Sequence, residues 1–227
     1  MPSGFFFSAN EDEQLEASNS DFWESLIEHV QEDCGDEPPR SILDIGCHFG
    51  GLLSRIITVW NPREAWGIEP MALARRRANA RLHKLIRNVR ILDVADWPSV
   101  PEAAIDLVTC HEVLYLEPDL HAFMANINRV LSRSGHAYIV LGCHAENPVW
   151  AHWKPRLAAL GHQVYDHRPM DILAAGAAFG LHPSLRPLRK TGWITHDPIH
   201  SEFTFPSASV MLDHHFKHKL VFRFMRS

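Results

Sequence analysis

The feature that most constrains this chain is an alternation that runs from residue 41 to residue 142. Short apolar runs take turns with longer stretches patterned as helices. Ser41 to Ile45 is apolar and ends in Gly46-Cys-His-Phe-Gly-Gly51, and Leu52 to Trp60 then reads as a helix. Ala65 to Glu69 is a second strand, followed by an Ala- and Arg-rich helix from Pro70 to Leu85. Val89 to Leu92 is a third and Ile105 to Cys110 a fourth. A helix from Leu120 to Leu131 then leads through Ser134-Gly135 to a fifth strand, His136 to Leu141. Each run is apolar nearly throughout, as parallel strands covered on both faces must be. The expected fold class is α/β: a doubly wound, mostly parallel seven-stranded sheet with helices on both faces. Ligands in that architecture lie beyond the carboxyl ends of the strands.

The flanks are less regular. Residues 1–40 form an acidic N-terminal helical or lid segment, with helical spacing from Asp21 to Gln31 and an exposed-looking run, Phe5-Phe6-Phe7, before it. Pro38 and Pro39 end that helix. Residues 41–142 are the ligand-binding core. Residues 143–227 belong to the same domain, with helices at Pro148 to Leu160 and Pro169 to Phe179, a sixth strand near Ser184 to Leu188 and a last one at Leu220 to Met225.

A chain of 227 residues fits one α/β domain with additions. Its net charge of -5 disfavours a protein built to grip nucleic acid, which usually shows a basic face. No apolar run approaches the ~18 residues of a membrane span, and Met1 to Phe7 lacks the basic flank of a signal peptide. The four cysteines form no Cys-x-x-Cys pair and read as reduced thiols of a cytoplasmic protein. Oligomeric state stays open.

Three acids sit at the ends of successive strands. Asp44 stands beside Gly46, Glu69 follows the second strand, and Asp93 follows the third. Gly46 and Gly50 let the backbone turn tightly and approach a ligand. Glu69, 23 positions after Gly46, is placed to accept both hydroxyl protons of a ribose. Asp93 is placed to accept from an adenine amino group, with Val94 against the ring and Pro70 and Met71 over its other side.

These motifs resemble those of class I S-adenosylmethionine-dependent methyltransferases. Ile42-Leu-Asp-Ile-Gly-Cys-His-Phe-Gly-Gly51 is similar to their glycine-rich first motif, Gly67-Ile-Glu-Pro70 to their second and Asp93-Val-Ala-Asp-Trp-Pro98 to their third. Ile105-Asp-Leu-Val-Thr-Cys-His-Glu-Val-Leu114 is similar to their fourth, and Arg129-Val-Leu-Ser-Arg-Ser-Gly135 to the helix and turn before their fifth strand. The resemblance spans residues 41–142 and implies a Rossmann-like methyltransferase fold, S-adenosyl-L-methionine as cofactor and S-adenosyl-L-homocysteine as product. It also implies roles. Gly46, Cys47, His48 and Gly50 border the methionine part. Asp44 orients the loop or, through water, the cofactor's ammonium. Glu69 holds the ribose, Pro70, Met71, Asp93 and Val94 frame the adenine, and His111 lies at the cofactor's edge. His48 stands where the family often has a second glycine. A nicotinamide dehydrogenase, the main rival, needs that glycine for backbone approach to a pyrophosphate.

Methyl transfer from a sulfonium needs alignment and a dry site, and needs a base only when the nucleophile carries a proton. His111, directly after the fourth strand, is either that base or a hydrogen-bonded histidine beside the cofactor. His144 has a similar address after the fifth strand, and Tyr115 either shapes the pocket or packs the next helix. The fourth strand lacks the Asn/Asp-Pro-Pro-aromatic motif of amino-methylating nucleic-acid and glutamine enzymes, and Asn147-Pro-Val-Trp150 lies after the wrong strand to replace it. It also lacks the paired Asp and Asn of magnesium-dependent catechol-type enzymes. The expected activity is metal-independent transfer to an oxygen or nitrogen of a small metabolite or natural product, with no nucleic-acid or membrane partner. The alternatives are a cofactor-binding module or inactive partner subunit, and an RNA or protein methyltransferase.

Phe5 to Phe7, Trp150, Trp153 and Trp193 are either an aromatic lid or ordinary packing. The histidines of His196-Asp197-Pro-Ile-His200 and His214-His215-Phe-Lys-His218 read as loop or surface clusters, since nothing in their spacing makes three or four ligands converge. Arg75-Arg76-Arg77 reads as a solvated helix face.

Overall fold

The computed structural model describes residues 5–35, 37–196 and 204–226. Seven strands, β1 (Ser41–Ile45), β2 (Glu64–Ile68), β3 (Val89–Leu92), β4 (Ile105–His111), β5 (Leu131–Leu141), β6 (Leu181–Pro187) and β7 (Leu220–Arg226), form one sheet in the order β3-β2-β1-β4-β5-β7-β6. β1 through β5 pair in parallel, whereas β7 is antiparallel to both β5 and β6. The sheet is therefore mixed, with a parallel block carrying the strand ends predicted to bind the ligand. The order reverses between β1 and β4, the switch point at which such sheets open a crevice.

Among the described residues seven α-helices cover it: α1 (Ala9–Cys34), α2 (Gly51–Trp60), α3 (Ala72–Leu82), α4 (Leu120–Val130), α5 (Pro148–Ala159), α6 (Pro169–Ala178) and α7 (Ala208–Asp213). One apolar core joins one face of the sheet to α4, α5 and α6 through residues such as Phe123, Ile127, Leu157, Ile172 and Phe222. The other joins the opposite face to α1, α2 and α3 through Leu26, Val30, Leu53, Ile56 and Leu82. None of these helices is long and apolar enough to cross a membrane.

Several boundaries depart from the sequence reading. β5 starts at Leu131, five residues early, because a register shift between Ile105 and Leu107 lets the chain re-pair around Gly135. β6 starts at Leu181 and carries Pro183 and Pro187, which an edge strand tolerates because a proline there costs no ladder bond on the open side. The helix expected from Pro70 to Leu85 is confined to Ala72–Leu82.

The largest departure is α1, which begins at Ala9 rather than Asp21. Ser8 caps it by accepting the Glu11 backbone N–H. Its buried apolar residues, Phe22, Leu26, Ile27 and Val30, all lie in its second half. Its acids instead meet arginines of the body: Glu16 with Arg81 at 2.6 Å, Glu24 with Arg55 at 3.1 Å, Asp33 with Arg223 at 2.8 Å, and Glu13 with Arg77. The Arg75-Arg76-Arg77 stretch is thus not simply a solvated face. Arg75 pairs with Asp93 at 2.7 Å, and Arg77 lies over the Phe49 ring at 4.7 Å. The acidic charge of α1 supplies partners that the local helix pattern does not contain.

Candidate functional site

The turn after β1 is built by backbone conformation. Gly46 and Gly50 have φ of 74° and 77°, and a Cβ on Gly46 would sit 2.2 Å from Val113 Cγ2. His48 also lies in the left-handed region, at φ 46°, which explains why glycine is usual there. The turn is tied to β2, since Gly46 and Cys47 both donate to the Ile68 carbonyl. Cys47 contributes backbone to the turn and buries its thiol toward Gly67.

Glu69 is buried at the end of β2, and its two carboxylate oxygens accept from His48 N at 2.9 Å and Met71 N at 2.8 Å. Each oxygen keeps further acceptor capacity. Asp44 lies on β1 in register with Thr109 of β4, whose hydroxyl donates to it at 2.8 Å. Burial, with a smaller push from the Glu69 charge, raises Asp44 to about 7, against the opposing Thr109 bond. Burial likewise raises Glu69, against hydrogen bonds from Met71 and His48 and the nearby His48 and Arg75 charges. Both carboxyls are therefore buried and raised, and the Glu69 charge contributes at Asp44. Such a site favours a cationic ligand that carries vicinal hydroxyls over an anionic diphosphate.

Asp93 stands at the end of β3, accepts from Ala95 N at 3.2 Å and pairs with Arg75. Arg75 also donates to the Glu69 and Pro70 carbonyls, so it braces the segment expected to cover the adenine. Met71 is buried under that segment, while Val94 opens the 3-10 turn Val94–Ser99 with its side chain exposed. Sequence reasoning missed Arg75; its place one turn after Pro70 on α3 was the available signal.

The second residue missed is Asp12. It is buried in α1 and accepts from Phe6 N at 2.8 Å, Phe7 N at 2.9 Å and His48 Nε2 at 3.2 Å. The Phe5–Phe7 run is thereby drawn onto the glycine turn, with the Phe6 ring stacked on His162 at 4.0 Å.

The candidate bases differ in their surroundings. Burial and the Lys219 ammonium hold His111 down to about 3, against the Glu112 charge, so it stays neutral and is a poor proton acceptor near pH 7. Both nitrogens of His144 are engaged, Nε2 with the His218 carbonyl at 2.8 Å and Nδ1 with Glu146 N at 3.3 Å, which marks a structural residue. Tyr115 is buried beside Trp150, and burial raises its hydroxyl well above its ordinary value. Trp150 and Trp153 are packed and donate to Asp166 and to the Thr204 carbonyl, whereas Trp193 is 93% exposed. Asn147 caps α5 and donates to the Gly142 carbonyl and to His214 Nδ1. Among the described residues no three His, Cys, Asp or Glu side chains gather as a metal site. Asp197 and His200 lie outside the described residues.

Residues 43–139 match the family described as "Methyltransferase domain". No curated protein sequence matches this one. Solved structures share the fold. One is the candidate methyltransferase bound to the Haloferax volcanii Trm112 methyltransferase activator, with a TM-score of 0.75 and 16% identity over 96% of this chain and 94% of that one. Another is geranyl diphosphate C-methyltransferase from Streptomyces coelicolor A3(2), in complex with Mg2+, geranyl diphosphate and S-adenosyl-L-homocysteine. It has a TM-score of 0.62 and 16% identity over 89% of this chain and 79% of that one. A third is a Thermotoga maritima S-adenosylmethionine-dependent methyltransferase, described as a possible histamine N-methyltransferase, with a TM-score of 0.61 and 12% identity over 96% of each chain.

Proposed function

We propose that the chain, whose residues 43–139 match a methyltransferase-domain family, is a class I S-adenosylmethionine-dependent methyltransferase that methylates an oxygen or nitrogen of a small metabolite or natural product without a metal ion. The observation that carries the reading is the buried, raised carboxyls of Asp44 and Glu69 beside the Gly46 turn. S-adenosylmethionine is cationic at both its sulfonium and its ammonium, and its ribose offers the two hydroxyls that the free acceptor capacity of Glu69 requires. When bound, the sulfonium supplies an electrophilic methyl group and leaves as the neutral thioether of S-adenosyl-L-homocysteine.

Each residue then has a physical task. Asp44 and the backbone of Gly46, Cys47, His48 and Gly50 orient the methionine end. Glu69 holds the ribose. Asp93, braced by Arg75, accepts from the adenine amino group, with Pro70, Met71 and Val94 around the ring. His111, at the end of β4, lines the edge where the methyl group is presented, and its neutrality assigns it orientation rather than proton storage. Phe5 to Phe7 and α1 exclude water from above. The absence of paired Asp and Asn at the β4 end supports the metal-independent reading.

The activator bound to the Haloferax volcanii neighbour motivates a second reading, in which this chain turns over only with a protein partner. Calorimetric titration with S-adenosylhomocysteine, beside a nicotinamide dinucleotide control, tests the first step. Micromolar binding of the first alone is the expected result, and binding of neither overturns the cofactor assignment for the isolated chain.

A further inference from the structure

The carboxyl ends of β4 and β5 meet the start of β7 beside the place where the methyl group would be presented. A polar slot lies there. Its floor is an ion pair, in which Lys219 Nζ donates to Glu112 Oε1 at 2.5 Å. Glu112 also accepts from Gly142 N at 2.7 Å and Cys143 N at 3.3 Å. Two backbone irregularities build this floor. Glu112 lies at φ 55°, and the π-turn His214–His218 sets the direction of Lys219. Both kinds of irregularity are costly and concentrate at functional sites.

Two imidazoles line the slot, and each has a buried nitrogen without a partner among the described residues: Nε2 of His111 and Nδ1 of His215. The space between them is filled by Phe22 of α1. Its ring stacks on His215 at 5.0 Å and 25°, lies 4.2 Å from Lys219 Nζ, and is 6.3 Å from His111. Trp23 closes the edge, 6.2 Å from His111. The frame is thus shaped for a flat ring, held between an imidazole and a cation. A phenyl group satisfies that shape but offers neither imidazole a hydrogen bond, so the slot is better matched to a ring that carries polar N–H groups. The part of α1 before Phe22 buries no apolar side chain and is fastened by ion pairs of Glu13 and Glu16, which are weak and screened by salt, so it can swing Phe22 out while Leu26, Ile27 and Val30 anchor the rest of the helix.

We propose that Phe22 stands in for the methyl acceptor, and that the slot bounded by His111, His215 and the Glu112–Lys219 pair takes a small planar aromatic molecule bearing a neutral nitrogen nucleophile. This rests on the methyltransferase reading above and names its substrate class. Neither the two imidazoles nor the Glu112 carboxylate is set to take a proton near neutrality. Glu112 is held near 2 by Lys219 against its burial, and burial with the Lys219 charge holds His111 and His215 near 3. An aromatic amine or azole nitrogen attacks with its own lone pair. The N–C bond forms as the C–S bond breaks, the nitrogen becomes cationic, and it gives its proton to water after release.

The test uses the full chain and labelled S-adenosylmethionine. Binding of S-adenosylhomocysteine is measured first, so failure there faults the cofactor assignment and not the slot. Aromatic amines and azoles are then compared with saturated amines of the same size and with phenols. The expected result is at least a tenfold higher kcat/KM for the aromatic nitrogen acceptors. His215→Leu should raise acceptor KM about tenfold with little change in kcat and with S-adenosylhomocysteine affinity retained, a split that a merely structural role would not produce. Phe22→Leu should lower acceptor KM. Equal rates for ring and saturated amines, a preference for phenols, or no turnover of any panel member despite S-adenosylhomocysteine binding would overturn the proposal.

Discussion

Replacing Glu112 with glutamine removes one charge and keeps the shape. In the native fold the Lys219 side chain is 5% exposed and that of Glu112 17%, so the ammonium would be left without a counter-charge in a nearly dry site. Lys219 and the other donors hold the Glu112 carboxyl at about 2, against burial and below its ordinary 4.5. At about 1.4 kcal/mol per pH unit, that depression contributes about 3 kcal/mol to stability at neutral pH. An independent route agrees: stripping one partner from a buried pair typically costs about 3–5 kcal/mol. The sign follows from the depressed value. The contribution is complete above about pH 4.5, falls to about 1.4 kcal/mol at pH 3, and vanishes near pH 2. Urea unfolding followed by circular dichroism should therefore show Glu112→Gln less stable by about 3 kcal/mol at pH 7, a midpoint drop of about 1.5 M for a slope near 2 kcal/mol per M. The gap should narrow to less than half by pH 3. Adding Lys219→Met should recover part of the loss, with a coupling energy above about 1 kcal/mol. A loss below about 1 kcal/mol, a gap unchanged with pH, or strict additivity of the two substitutions would refute the account.

Other predictions follow from the same geometry. Glu69→Ala should weaken S-adenosylhomocysteine binding by ~1–3 kcal/mol in calorimetry, because it removes charge-assisted bonds to ribose hydroxyls. Asp44→Asn should behave oppositely to Glu112→Gln in the unliganded protein. A carboxyl raised to about 7 costs stability as pH climbs from about 3.8 through 7, so the variant should gain on the native chain between pH 5 and pH 8 in urea midpoints while losing cofactor affinity. At 1 M salt the screening length falls to about 3 Å, and amide exchange in the part of α1 before Phe22 should quicken while exchange in β1, β4 and β5 stays slow. Uniform acceleration across both would show that the first part of α1 is not held chiefly by charge.

The parallel half of the sheet was legible because its strands are buried on both faces, and continuous apolar runs betray them without any partner being known. Asp44, Glu69 and Asp93 were legible for the same reason, since each directly follows or interrupts such a run. The starts of β6 and β5 were not, because edge pairing and the register shift leave little periodic trace. α1 was half seen. Its second half has an apolar stripe, but its first half is helical because Arg77 and Arg81, more than 60 residues away, neutralise its acids.

His111 shows where local reading stops. Its address after β4 follows from the order of residues, but its protonation does not. Two distant parts of the chain decide that: Phe22 and Trp23 of α1 exclude water and Lys219, just before β7, brings a positive charge, while the neighbouring Glu112 is already committed to Lys219. The sequence alone determined which elements form and which acids stand at their ends, because periodicity and adjacency are properties of neighbours along the chain. Only the tertiary structure decided which of those groups carry charge and which ring fills the slot beside them, because desolvation and Coulomb interaction depend on distance in space.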